Sequence, residues 1–146
     1  MKNYDSCLVL SHFKGHVQGG YGGALKQLSI GFASTAGKVL QHTGGQSTDT
    51  ADFSRKGCGA KEFKETMADA ASAVVKFVKG NLAFINVMAN ISLDCDCDGN
   101  ARPPVMADIG ILSSTDPVAL DRACLDLVYN SNDEGKNQLI QRIEKL

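Results

Sequence analysis

The chain has 146 residues, a net charge of −1 and 43% hydrophobic residues. That supports one domain with its own core, and the lack of a basic excess argues against nucleic acid or a membrane surface as partner. No apolar stretch nears the ~20 residues that cross a bilayer.

The start, Met1-Lys2-Asn3-Tyr4-Asp5, has no apolar h-region, which speaks against a secretory signal. Tyr4 to Leu10 reads as a buried strand. Next comes Ser11-His12-Phe13-Lys14-Gly15-His16-Val17-Gln18-Gly19-Gly20-Tyr21-Gly22-Gly23, ahead of a helical pattern from Ala24. Strand, glycine-rich loop and helix bring backbone N–H groups to one point, which favours an anion. Lys14, Gly15, Gly19, Gly20, Gly22 and Gly23 are the candidate donors to a cofactor. The loop is not a P-loop, and Gly20-x-Gly22-x-x-Leu25 misses the third glycine of the dinucleotide fingerprint. A plain turn with exposed histidines is the alternative.

From Ala24 to Gln41 the pattern is helical, but Gly31 and Gly37 interrupt it and predict two short helices or a helix and a turn. Thr43 to Gly59 has loop composition. Lys61 to Lys79 predicts a long helix whose apolar stripe is Phe63, Met67, Ala70, Ala71, Val74 and Val78, stopped by Lys79-Gly80. Leu82 to Ile91 is a nearly continuous apolar run, as in a strand covered on both faces. Ile109-Gly110-Ile111-Leu112 is another such run. Asp116-Pro117 then opens a helix, with Asp116 as N-cap. A last helix from about Gly135 buries Leu139, Ile140 and Ile143. The alternation predicts an α/β fold, a single domain over 1–146, with a small mainly parallel sheet of three to four strands flanked by helices.

The second chemical constellation is Asp94-Cys95-Asp96-Cys97-Asp98-Gly99, at the end of the strand that starts at Leu82. In an extended segment the two thiols share one side and the three aspartates the other. Thiols are soft ligands and carboxylates hard ones. The front of a calcium loop matches, but its twelfth position is Val105, where a bidentate Glu is needed, so an EF-hand is excluded. Five cysteines, an odd number unevenly spread, fit a reducing compartment such as the cytoplasm. Cys7 and Cys124 sit in apolar patterns as core thiols. In a parallel sheet both loops leave the same edge. His12 and His16 then meet Asp94, Cys95, Asp96, Cys97 and Asp98, a ligand set for a divalent metal such as zinc. No catalytic triad is readable, since Ser11 beside His12 is adjacency, not geometry.

Several blocks in order, Leu10-Ser11-His12-Phe13-Lys14-Gly15-His16, Gly22-Gly23-Ala24-Leu25-Lys26, Ala36-Gly37-Lys38, Ile91-Ser92-Leu93-Asp94-Cys95-Asp96-Cys97, Asp108-Ile109-Gly110-Ile111-Leu112 and Asp116-Pro117-Val118-Ala119-Leu120-Asp121, carry a resemblance over nearly the whole chain. They resemble the carboxyl-terminal part of domain-of-unknown-function family 362, described as uncharacterised iron–sulfur-centre proteins. The resemblance implies a member shortened at its amino terminus. It also implies loss of a ferredoxin-like insert between His42 and Phe63, with Cys58 at the insert site. Without any Cys-x-x-Cys, no intact iron–sulfur cluster is expected.

Three functions follow as alternatives: a metal- or anion-binding domain, a redox or cofactor-dependent enzyme component working with a redox protein partner, or a structural remnant that only oligomerises. A sheet this thin also predicts a homo-oligomer.

Overall fold

Apolar runs broken by glycine and by capping residues set the elements in a computed structural model, which describes residues 3–145. Met1 and Lys2, part of the segment read for a secretory signal, lie outside the described residues. The main sheet has three strands, β1 (Cys7–His12), β4 (Leu82–Met88) and β5 (Gly110–Ser114), with β4 in the centre. A two-stranded antiparallel hairpin, β2 (Lys14–His16) and β3 (Gly20–Gly22), follows β1 directly. The helices are α1 (Ala24–Lys26), α2 (Thr35–His42), α3 (Ala60–Val78), α4 (Pro117–Tyr129) and α5 (Lys136–Glu144). A π-helical turn at Gln27–Gly31 continues α1, and a 3₁₀ turn at Thr50–Asp52 interrupts the loop before α3.

The α/β class and the helix-flanked three-stranded sheet hold. β1 and β4 run parallel, joined by the helical segment between them. β5 runs antiparallel to β4, because the connection from 89 to 109 contains no crossover helix to bring the chain back to the starting edge. α3 stops as its sequence predicts, with Lys79 in the left-handed conformation at φ 54° and Gly80 beside it. Asp116 caps α4, its carboxylate accepting from the N–H of Val118 and Ala119.

The core lies between the helices and one face of the sheet. Val9, Phe84 and Met88 point into it against Leu28, Ala71, Leu120, Cys124, Val128 and Leu139. The expectation that the strand after Leu82 is covered on both faces is corrected here. Phe84, Asn86 and Met88 are buried, but the alternate residue Ala83 is exposed and Ile85 and Val87 are only half-buried. Among the described residues the helices pack on the face that carries Phe84 and Met88.

A second correction concerns the glycine-rich stretch. It is not a single open loop between strand and helix. Ser11 and His12 finish β1, and the glycines build the β2–β3 hairpin, with Lys14 opposite Gly22 and His16 opposite Gly20. Gly20 sits at φ +83°, and a side chain there would meet the backbone of Ile143.

Candidate metal centre

Because β1 and β4 are parallel, their carboxyl ends lie at the same end of the sheet. From β1 the chain enters the hairpin; from β4 it enters the loop holding the thiols. The N–H of Phe13 donates to the Val87 carbonyl at 2.9 Å, and that of Gly15 to the Ser92 carbonyl at 2.8 Å. A Cβ on Gly15 would stand 2.3 Å from the Leu93 carbonyl oxygen, so only glycine allows this approach. The acidic loop is not extended. It turns at Cys95, whose carbonyl accepts from the Asp98 N–H at 2.9 Å. The turn buries Cys95 and leaves Cys97 exposed.

His16, Cys95 and Cys97 meet here. One ligand atom from each lies within 4.8 Å of the others. His16 is buried and its ring stacks on Phe63 of α3, centroids 5.7 Å apart and planes 8° from parallel. Its Nδ1 accepts from the N–H of Gly19 at 2.8 Å and of Gln18 at 3.2 Å. Both amides donate, so Nδ1 carries the lone pair and Nε2 the proton in the neutral ring. Lys26 reaches in from α1 and places Nζ 3.3 Å from the Cys95 sulfur. Burial works against ionisation of Cys95, but hydrogen bonds from His16 and Cys97 and the Lys26 charge prevail, bringing its pKa to about 5. Cys97 moves the other way. Its burial and the neighbouring Cys95 thiolate keep its proton on. The pair therefore holds one proton and one negative charge at neutral pH.

The remaining predicted ligands form a separate layer. His12 Nδ1 faces both carboxylate oxygens of Asp96, at 2.9 and 3.1 Å, and its Nε2 lies 2.9 Å from the Ala89 carbonyl. Both partners are acceptors, so both ring nitrogens are already engaged with the chain's own oxygens. The Lys14 ammonium is 2.8 Å from the same carboxylate. Burial alone would raise the Asp96 pKa, but the Lys14 and His12 hydrogen bonds lower it on balance. Asp94 faces away and takes a bidentate grip from Arg102, at 2.7 and 2.9 Å, with Arg142 at 3.5 Å. The Arg102 hydrogen bond holds the Asp94 pKa at about 2. Asp98 caps the Asn100 N–H at 2.9 Å and is exposed.

The glycines have packing roles. Gly22 lies against Lys26 and Lys14, and a Cβ on Gly23 would collide with the Asp121 carboxylate at 2.4 Å. The N–H groups of Ala24 and Leu25, which would greet an anion at the helix start, donate to Asp121 at 2.7 and 3.0 Å. A carboxylate of the chain itself fills that place. Asp121 also accepts from Asn86 Nδ2 at 2.7 Å and is 1% exposed. Burial pushes its carboxyl above the ordinary range; the donors from Leu25, Asn86 and Ala24 pull against it. Lys26 and Asp121 were not among the sequence-derived site residues. The available signals were a lysine one turn past the double glycine and a carboxylate at an apolar helix position.

A cleft of about 850 Å³ lies beside this centre, lined by Val17, Leu93, Arg102, Gln138 and Arg142 among others, and the thiols do not line it.

The family described as Domain of unknown function (DUF362) matches residues 1–126. No curated protein matches the chain, and neither does any solved structure. No helix among the described residues is long and apolar enough to cross a membrane.

Proposed function

The chain belongs to that family, whose function is not established, and from the geometry of its own residues we propose that it binds a single thiophilic divalent ion, zinc by preference, through His16, Cys95 and Cys97. The observation that carries the reading is the convergence of one imidazole and two thiols within 4.8 Å. Zinc takes sulfur at about 2.3 Å and imidazole nitrogen at about 2.0–2.1 Å, which puts tetrahedral ligands roughly 3.5–3.8 Å apart. A closure of about an ångström reaches that spacing. Three protein ligands leave a fourth position open, as in zinc centres that take water or a further ligand. Binding displaces the Lys26 ammonium from Cys95, the proton shared by the thiols, and either the Nε2 proton or the amide contacts at Nδ1 of His16. The affinity therefore rises with pH. Two thiols and one imidazole suit one ion rather than a cubane cluster.

The test is cobalt and zinc titration of chelator-treated protein. The expected result is one ion per chain, a sulfur-to-cobalt charge-transfer band, at least a tenfold loss of affinity in His16→Ala, and loss of binding in the Cys95→Ser, Cys97→Ser variant. Unchanged affinity in both variants, or stoichiometric iron and sulfide after anaerobic reconstitution, overturns it.

One observation favours a second reading. His16 and Lys26 both stabilise a Cys95 thiolate beside the exposed Cys97 thiol. Such a pair can reduce a partner's disulfide. Cys97, once deprotonated, attacks one sulfur; the Cys95 thiolate resolves the mixed disulfide; the partner leaves with two thiols and the chain keeps a Cys95–Cys97 disulfide. A reducing compartment suits both readings. A disulfide between these residues at the potential of the glutathione pool, with no ion bound from micromolar zinc, selects the second.

A further inference from the structure

The sheet's second face is apolar from edge to edge. Leu8 and Leu10 on β1 are each 59% exposed, and Ile111 on β5 is 70% exposed. Between them β4 contributes Ala83, Ile85 and Val87. The register places Leu8 beside Ala83, Leu10 beside Ile85, and Val87 between His12 and Ile111. This makes one continuous surface. Only His12 and Ser113 bring polar atoms to it, and the His12 ring is already engaged with Asp96 and Ala89. A half-open sheet normally shows a solvated face of alternating polar residues. This one shows aliphatic residues at the positions where polar ones belong.

We propose that this face packs against the same face of a second copy, forming a two-fold symmetric homodimer with β4 crossing over β4. The inference is independent of the metal reading. Charge selects no other partner, because the strand positions on this face carry no acidic residue and no lysine or arginine. A patch that is apolar apart from His12 and Ser113 is also self-complementary, as an isologous interface must be.

Area sets how the copies meet. With strands about 4.8 Å apart and a rise near 3.3 Å per residue, three strands of five to seven residues cover a footprint of about 270 Å². Side-chain relief roughly doubles that, so two copies bury about 1,000 Å² in all. That is the lower bound for a specific interface. The copies reach it only by using the whole face, with sheets about 10 Å apart and strands aligned within about 30°. An offset or edge-to-edge contact falls short. Interfaces at this lower bound are typically weak or transient.

The test is sedimentation of the full chain from about 1 to 200 µM, beside Leu10→Lys and Ile111→Lys. Both substitutions lie on exposed positions, so the helix-covered core is untouched, and circular dichroism checks that they fold. The expected result is wild-type mass rising to twice 15.5 kDa across that range, while both variants keep the native spectrum and remain monomeric. A wild-type monomer at 200 µM overturns the inference. So does a dimer that persists unchanged in both folded variants, which would place the interface elsewhere.

Discussion

Asp121 joins three elements at one point, and removing it measures what that junction contributes. Its carboxylate accepts from the Ala24 and Leu25 amides at the start of α1 and from Asn86 on the central strand, while its own backbone belongs to α4. Asp121→Ala leaves the buried Ala24 amide and the part-buried Leu25 amide without an acceptor, and leaves the buried Asn86 side-chain amide only the weak Cys124 sulfur at 3.4 Å. Each such loss costs about 1–3 kcal/mol. The three are neighbours and relax together, so the sum is sub-additive, about 3–5 kcal/mol. Asp121→Asn keeps the shape and one acceptor oxygen. That oxygen can still serve Ala24 and Asn86, but the new NH₂ then faces the Leu25 amide, donor against donor, for about 1–2 kcal/mol. Urea unfolding followed by circular dichroism reads both. With a slope of about 2 kcal/mol per molar, the middle of the usual range in urea, the midpoint falls by about 1.5–2.5 M for the alanine and by about 0.5–1 M for the asparagine. An alanine variant within about 1 kcal/mol of wild type, or an asparagine variant less stable than the alanine one, refutes the account of Asp121 as an internal substitute for a bound anion.

Two further outcomes test the centre itself. With the Cys95 pKa near 5, its alkylation by iodoacetamide, followed by mass-spectrometric site mapping of the native chain, is nearly flat from pH 6 to 8 and drops below about pH 5. An ordinary thiol gains about tenfold per unit over that range; Lys26→Met moves Cys95 toward that behaviour, and a tenfold rise per unit in wild type refutes the shift. Gly15→Ala pushes a Cβ into the Leu93 carbonyl and parts the hairpin from the thiol loop, costing about 1–3 kcal/mol and weakening the cobalt band. Gly57→Ala, which meets nothing within 4 Å, stays within about 0.5 kcal/mol of wild type in the same melts.

Periodicity carried the long elements because each has one dominant apolar stripe. α3, β4 and α4 fall within a few residues of the positions their patterns predict. The direction of β5 was not legible, because Ile109 to Leu112 has the same composition whichever way the strand runs. Direction follows from the helix-free connection, which is a property of the path. The meeting of His16 with Cys95 and Cys97 followed from two strand ends on one edge, so topology alone predicted it. The separation of His12 from that group did not. It depends on Asp96 turning toward Lys14 and His12 once the loop bends, and an extended segment would not have shown it. The hairpin hid within the glycine run because strands of three residues leave no period to read. Asp121 hid because a carboxylate at an apolar helix position looks like a surface residue until Gly23 comes close enough to need it.

The proposed centre mixes ligands of two kinds of origin. Cys95 and Cys97 are neighbours in any conformation of the chain, whereas His16 joins them only when segments about eighty residues apart have come together. An ion with affinity for thiolates thus has a foothold on the unfolded polypeptide as well as on the native one. By linkage, ligand stabilises a fold only through the difference between those two affinities. Here that difference is confined to the imidazole and to the arrangement of the sulfurs. Zinc should therefore raise the melting temperature of this protein by much less than its affinity suggests.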